Sequence, residues 1–239
     1  MVIILIKRKY IIFSCFLVFF MLLGVLLLTH PENTEVSITG SFTITVVLDA
    51  GHGYPDGGAE GTTKVTEEAI NLDVTKKLQK LLEKSGISVI LTRADENGIF
   101  DEGLKTIRKK KVSDMKNREK IINSSGADYF ISIHMNKFTD SKYSGPQVFY
   151  NSDFDEGKLL AESIQKELIA ELKPKMEREI KKSDKNIYLL KNSNIPAVLI
   201  ECGFLSNPQE EKLLLTEEYK EKIAWAIYKG IISNFQMNR

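Results

Sequence analysis

The chain is poor in the residues that would staple or decorate it. Among 239 residues there are only two cysteines, three histidines and one tryptophan. Cys15 lies in an apolar segment near the amino end and Cys202 far downstream, so no intrachain disulfide is expected, and a cysteine-rich metal framework is excluded. Charge of one sign is lacking too. Setting aside Lys7, Arg8 and Lys9, the only charged residues of the first 30, leaves 30 basic against 32 acidic side chains, net −2. That balance gives no electrostatic reason to expect a nucleic-acid partner. There are no internal repeats and no composition break that would mark a second folded domain.

One long hydrophobic run is present. Positions 10–28 are uninterrupted by charge and follow the Lys7-Arg8-Lys9 cluster. At about 1.5 Å rise per residue such a helix spans about 28 Å, close to the hydrocarbon thickness of a bilayer. No small-residue cleavage site follows it, so residues 1–30 read as an uncleaved anchor, with a cleaved signal segment as the alternative. The positive flank keeps the amino end inside and puts the remainder on the extracytoplasmic face, or outside if the segment is cut. Residues 31–41 are a polar tether, and residues 42–236 are about the size of one domain.

Within that domain, strand-like and helix-like segments alternate. Positions 43–49, 87–91, 128–134, 147–150 and 197–201 read as strands; 66–85, 112–125, 156–172 and 216–235 read as helices, with Gly86 and Pro174 as stops. The alternation predicts a single α/β domain with a mostly parallel, twisted sheet covered by helices on both faces. Positions 95–111, with the cluster Arg108-Lys109-Lys110-Lys111, read as a solvated basic loop. An anionic polymer or lipid headgroups are the ligands such a loop would take.

Two of the three histidines sit at strand ends, His52 in VVLDAGHG and His134 in YFISIHMN. Ligands of open α/β sheets collect outside the carboxyl ends of the strands, so two imidazoles delivered there suit a common metal ion. A catalytic zinc typically takes three protein ligands and keeps one position open. Glu67 is the candidate third ligand, because it shares a helix face with Ile70, Val74, Leu78 and Leu81; the alternative is a first-turn acid complementing the helix dipole. Glu68 falls on the side bearing Thr75 and Gln79 and is expected to face water. Glu201 ends an apolar strand, where a carboxylate needs a partner or a use, and a general base is the functional reading. Asp49 or Asp56 would orient His52 from behind. Cys202, beside an acid, reads as packing rather than as a nucleophile.

At these residues the chain resembles the zinc-dependent N-acetylmuramoyl-L-alanine amidases of the Amidase_3 family. The resemblance rests on LDAGHGYPDGGAEG, EEAINLD, SIHMN and IPAVLIECGFLSN in that order, and spans about residues 43–235. It implies Zn2+ held by His52, Glu67 and His134 and a catalytic Glu201; Asn71, four residues on, selects Glu67 over Glu68. The segment DEGLKTIRKKKVSDMKNR further resembles the germination-specific, CwlD-type amidases of endospore-forming bacteria, in which cell-wall-binding repeats are lacking and peptidoglycan is stripped on the route to muramic-δ-lactam in the spore cortex. Tyr54 departs from the glycine commoner there. The resemblance implies peptidoglycan as substrate and leaves open a regulatory lipoprotein or protein partner. General vegetative wall amidase, zinc peptidase or deacetylase, and non-catalytic wall-binding module are the alternatives; substrate-contacting residues are not legible.

Overall fold

β-Branched and aliphatic side chains dominate the strand segments, and their alternation decides which layer each strand residue joins. The computed structural model describes residues 44–184 and 186–237. Its elements are β1 (Thr45–Ala50), α1 (Glu67–Lys84), β2 (Ser88–Leu91), α2 (Ile107–Ser124), β3 (Tyr129–Asn136), β4 (Gln147–Tyr150), α3 (Asp155–Leu172), β5 (Lys181–Lys182), α4 (Tyr188–Asn192), β6 (Ala197–Phe204), α5 (Pro208–Leu214) and α6 (Glu217–Met237). The anchor and tether expected over residues 1–41 lie outside the described residues. No helix among the described residues is long and apolar enough to cross a membrane.

Six strands form one sheet in the order β2-β1-β3-β6-β4-β5. The β1–β2, β1–β3, β3–β6 and β4–β5 pairings are parallel, as expected, but β4 runs antiparallel to β6, so the sheet is mixed. The physical reason lies in the connection. Residues 137–146 between β3 and β4 contain no helix, and a parallel return needs a crossover of a dozen or more residues, usually helical. The short connection turns the chain back, and β6 fills the gap between β3 and β4.

Successive strand side chains point to opposite faces, which sorts the core into two layers. Val46, Leu48, Ile131, Ile133, Val198 and Ile200 pack under α1, α3 and α6 through residues such as Val74, Leu78, Ile164 and Ile227. Val47, Phe130 and Leu199 pack on the other face against Ile122 of α2 and Leu189 and Leu190 of α4. Each such side chain contributes roughly 1.5–3 kcal/mol by leaving water. By the same parity Asp49, Ser132, His134 and Glu201 project toward the α2 side, whereas Cys202 joins the larger layer and is fully buried.

Several local expectations need correction. The basic cluster is not loop: α2 begins at Ile107, five residues earlier than its apolar pattern suggested, capped by the Thr106 hydroxyl accepting from the Lys109 amide. A run of four basic residues carries no apolar periodicity, so the first turn was invisible. Thr66 precedes α1 in extended conformation without a side-chain cap bond. Glu68 does not face water; it is half-buried and its Oε2 is buried without a hydrogen-bond partner, and Thr75, on the same side, is fully buried. The side of α1 that looked polar is covered by its neighbours.

α3 and α6 approach so closely that a Cβ built on Gly230 would lie 2.5 Å from the Ile164 Cα. Gly230→Ala is therefore expected to force the helices apart and cost about 1–3 kcal/mol, read as a Tm several degrees lower in a thermal melt. An unchanged Tm would mean that the helices part freely.

Candidate metal centre

Three ligating side chains come together from β1's exit, the first turn of α1 and the end of β3. One donor atom each from His52, Glu67 and His134 lies within 4.8 Å of the others. Glu67 sits between the imidazoles: its Oε1 is 2.9 Å from His52 Nε2 and its Oε2 3.5 Å from His134 Nδ1. The two rings stand edge to face, centroids 5.0 Å apart. A zinc donor lies about 2.0–2.2 Å from the ion, so donor atoms spaced like these need only small shifts to share one. Two neutral-capable nitrogens and a carboxylate are the donor chemistry a borderline-soft divalent ion takes.

Backbone amides hold Glu67 in place. Its Oε1 accepts from the Ala59 amide at 2.7 Å and its Oε2 from the Met135 amide at 2.8 Å and from Asn71 Nδ2 at 3.2 Å. The first-turn reading of Glu67 as a mere dipole complement is thus too small; the side chain is buried and ties three segments together. Burial acts to raise its carboxyl, but hydrogen bonds and charge from His134 and His52 outweigh that and hold it far below the usual range.

His52 turns the chain at φ 62°, a left-handed conformation uncommon outside glycine. Of the two acids proposed to orient it, Asp56 is the one that does: its Oδ2 lies 2.9 Å from His52 Nδ1 and also 2.9 Å from Lys111 Nζ. Burial alone would lower the His52 imidazole, yet its hydrogen bonds to Asp56 and Glu67 and their charges raise it to about 9. The two carboxylates thus favour the protonated form of the ring.

Asp49 does different work. It is fully buried, accepts from Thr92 Oγ1 at 2.6 Å and Ser132 Oγ at 2.5 Å, and pairs with Arg118. Arg118, 1% exposed, also binds Asp114 and donates to the Ala50 and His52 carbonyls. From the opposite side Arg93 donates to the Ala50 carbonyl at 2.8 Å and the Gly51 carbonyl at 3.1 Å, and Asn71 donates to Gly51 at 3.1 Å. Three successive carbonyls at the exit of β1 are therefore gripped by side chains. Sequence reading missed Arg93 and Arg118. The usable signal was a pair of arginines inside otherwise well-patterned segments facing a strand that ends in Asp49.

His134 and Glu201 are register partners on adjacent parallel strands and point to the same side. Glu201 Oε2 is buried with no hydrogen-bond partner. Burial raises its carboxyl to about 7; the charges of His134 and His52 oppose this and that of Glu67 adds to it. Such a group accepts and returns a proton near neutral pH. Gly51 completes the packing: a Cβ there would fall 2.2 Å from the His134 ring. A cleft of about 360 Å3 opens over His52, His134 and Glu201, walled by Lys111 and Met115 of α2 and by Asn186, Ile187, Tyr188 and Leu189 on the other side. Cys202 takes no part; burial first, then the charge of Glu201, pushes its thiol far up.

Comparison with known proteins places the chain. It belongs to the N-acetylmuramoyl-L-alanine amidase family Amidase_3, whose profile matches residues 46–233, and is an amidase of that family. It is 40% identical over 192 residues to the germination-specific N-acetylmuramoyl-L-alanine amidase of Bacillus subtilis, covering 80% of this chain and 79% of that protein. It resembles the structure of the CwlD amidase from Clostridioides difficile in complex with the GerS lipoprotein, at 50% identity and a TM-score of 0.78 over 81% of this chain and 99% of that one. An N-acetylmuramoyl-L-alanine amidase from Clostridium difficile 630 aligns with a TM-score of 0.71 at 31% identity, over 82% of this chain and 99% of that one.

Two outcomes are expected. Because the protonated His52 must give up its proton to bind a metal, uptake of a divalent ion at pH 7.5 should release about one proton, and affinity should weaken roughly tenfold per pH unit below about 9. Calorimetry in buffers of different ionisation enthalpy measures both; no proton release would refute the raised His52 imidazole. Arg118→Met, which strands Asp49 in the interior, should cost about 3–5 kcal/mol in denaturant unfolding. In the unaltered protein burial acts to raise the Asp49 carboxyl, but the charge of Arg118 and the hydrogen bonds of Ser132 and Thr92 outweigh it and lower the carboxyl from 3.8 to about 2, so its stabilisation is complete above pH 3.8 and is lost as pH falls through about 2.

Proposed function

We propose that this amidase hydrolyses the amide between the lactyl group of N-acetylmuramic acid and L-alanine in peptidoglycan, with a zinc ion held by His52, Glu67 and His134 and with Glu201 as the proton-transfer residue. The observation that carries this reading is the convergence of those three donors within 4.8 Å beside the buried, unpartnered Oε2 of Glu201. A bound zinc supplies polarisation of the scissile carbonyl and a lowered pKa for water. The chain's own residues do the rest. Asp56 fixes the His52 ring through Nδ1, leaving Nε2 for the metal. Glu201 Oε2 takes the proton of the attacking water and returns it to the departing alanine nitrogen. Its position on a strand paired directly to that of His134 holds it beside the ligands without a flexible segment between.

The finer reading is a role in the spore cortex, where removal of stem peptides precedes muramic-δ-lactam formation. Support comes from the likeness to the Bacillus subtilis enzyme described as germination-specific. The likeness to a CwlD amidase in complex with the GerS lipoprotein supports an accessory lipoprotein as partner. Residues 1–30 would tether the domain to the extracytoplasmic face of the membrane, or direct its export if they are cleaved.

Glu201→Gln should keep the metal site and abolish turnover, by about 10²- to 10⁴-fold or more. Purified peptidoglycan incubated with the parent and the variant, followed by muropeptide mass spectrometry, reads the bond opened. Release of stem peptides starting at L-alanine is expected from the parent alone. Cleavage within the peptide, loss of acetyl groups, or full activity in the variant would overturn the assignment.

A further inference from the structure

The basic run at the start of α2 has no use in the metal centre. Arg108, Lys109 and Lys116 are exposed, as are Ile107 (59%) just before them and Val112 (53%) among them. None of the three cations forms an ion pair or hydrogen bond through its side chain among the described residues. Two of them also sit unfavourably within the helix. The first turn of α2 holds no acidic residue, so Arg108 and Lys109 face the positive end of the helix macrodipole. Solvated and unpaired, these cations are free to receive an anionic partner.

Place and shape narrow the partner. Lys111, one residue before Val112, lines the catalytic cleft, so the basic surface continues directly from the wall of the site. On its outer side it borders an open groove of about 520 Å3 lined by Asp101, Leu104, Arg108, Lys109, Val112 and Lys116. Asp101 is the one acid of that lining, and its carboxylate is already occupied by Asn117. Resting on the amidase reading above, the substrate itself is a polyanion. Its stem peptides carry free carboxylates from their glutamyl and diacid residues, repeated along every glycan strand.

We propose that the exposed basic face of α2, through Arg108, Lys109 and Lys116, is a docking surface for the carboxylates of stem peptides next to the one being cleaved. Such contacts favour strands still carrying peptide and release strands already stripped, because cleavage removes the negative charge. The attraction is screened over about 8–10 Å at physiological salt, so it acts on neighbouring stems and not on distant ones.

The test uses the full chain in mild non-ionic detergent. For binding, it carries Glu201→Gln so that purified sacculi stay intact, and is compared with the same chain bearing R108Q, K109Q and K116Q. Sedimentation with sacculi is expected to show about tenfold weaker binding for the triple variant, and a similar loss for the unaltered face when the sacculus carboxylates have been amidated. In the active background the triple variant should hydrolyse a soluble single-stem muropeptide within twofold of the parent, with an undiminished Tm. Equal binding by the triple variant, or indifference to amidation, overturns the inference and leaves an anionic lipid surface as the partner of these charges. Failure of the active parent to cleave the muropeptide would count against the amidase reading alone, since the sedimentation comparison decides the docking surface without it.

Discussion

The grip of Arg118 and Arg93 on the end of β1 is the constraint from which the site follows. A histidine held at φ 62° cannot rely on its own preference to stay there, and the carbonyls on either side of it would otherwise be free to turn. Two buried guanidiniums and the Asn71 amide take up the Ala50, Gly51 and His52 carbonyls, and Asp49 and Asp114 neutralise Arg118 within the interior. The same Asn71 reaches Glu67, so the loop that presents one ligand and the helix that presents another share a hydrogen-bonding residue. A buried ion pair is poor evidence of stability by itself, because desolvation offsets much of its attraction. Here its worth lies in direction: guanidiniums fan several donors toward fixed points, and the fixed points are the backbone of a ligand-bearing turn.

Electrostatics then divide the carboxylates by task. Glu67, surrounded by imidazoles and amides, stays ionised at any ordinary pH, as a ligand must. Glu201, on a neighbouring strand but with one oxygen left bare, is pushed toward neutrality and so sits where a proton can come and go. Asp56 spends its charge on the far nitrogen of His52 and on Lys111. One chemical group thus takes three different electrostatic states, distinguished only by what each oxygen touches.

Much of this was legible in the sequence because strand and helix periodicities carry direction as well as type. Glu67 faces inward because Ile70, Val74 and Leu78 fix which side of α1 is buried, and His52 does leave the end of β1; His134 and Glu201, expected at strand ends, lie inside β3 and β6, which run on to Asn136 and Phe204 through buried Met135 and Cys202. What failed was whatever depends on contacts between distant segments. Glu68 looked solvent-facing because one helix seen alone cannot reveal that Thr75 beside it is covered. The first turn of α2 carries one exposed apolar residue, Ile107, and otherwise only charge, which has no inward side. The antiparallel β4 is readable in principle from its helix-free connection to β3, although the alternation of elements along the chain points to a parallel strand. The arginines were visible as charges near well-patterned segments, but their grip on the end of β1 was not, as Asp49, Arg93 and Arg118 are joined only by folding.

The pairing of His134 with Glu201 across β3 and β6 seats both side chains on adjacent strands within the sheet. By contrast, the walls of the cleft are a helix start and the short segment before and within α4, built from Lys111, Met115, Asn186 and Tyr188. The floor and the rim of the cleft are therefore carried by different parts of the chain, tied together where Lys111 pairs with Asp56. A lineage could exchange the rim residue by residue, acquiring a taste for a differently modified glycan, while the hydrolytic apparatus beneath it passed unchanged from ancestor to descendant.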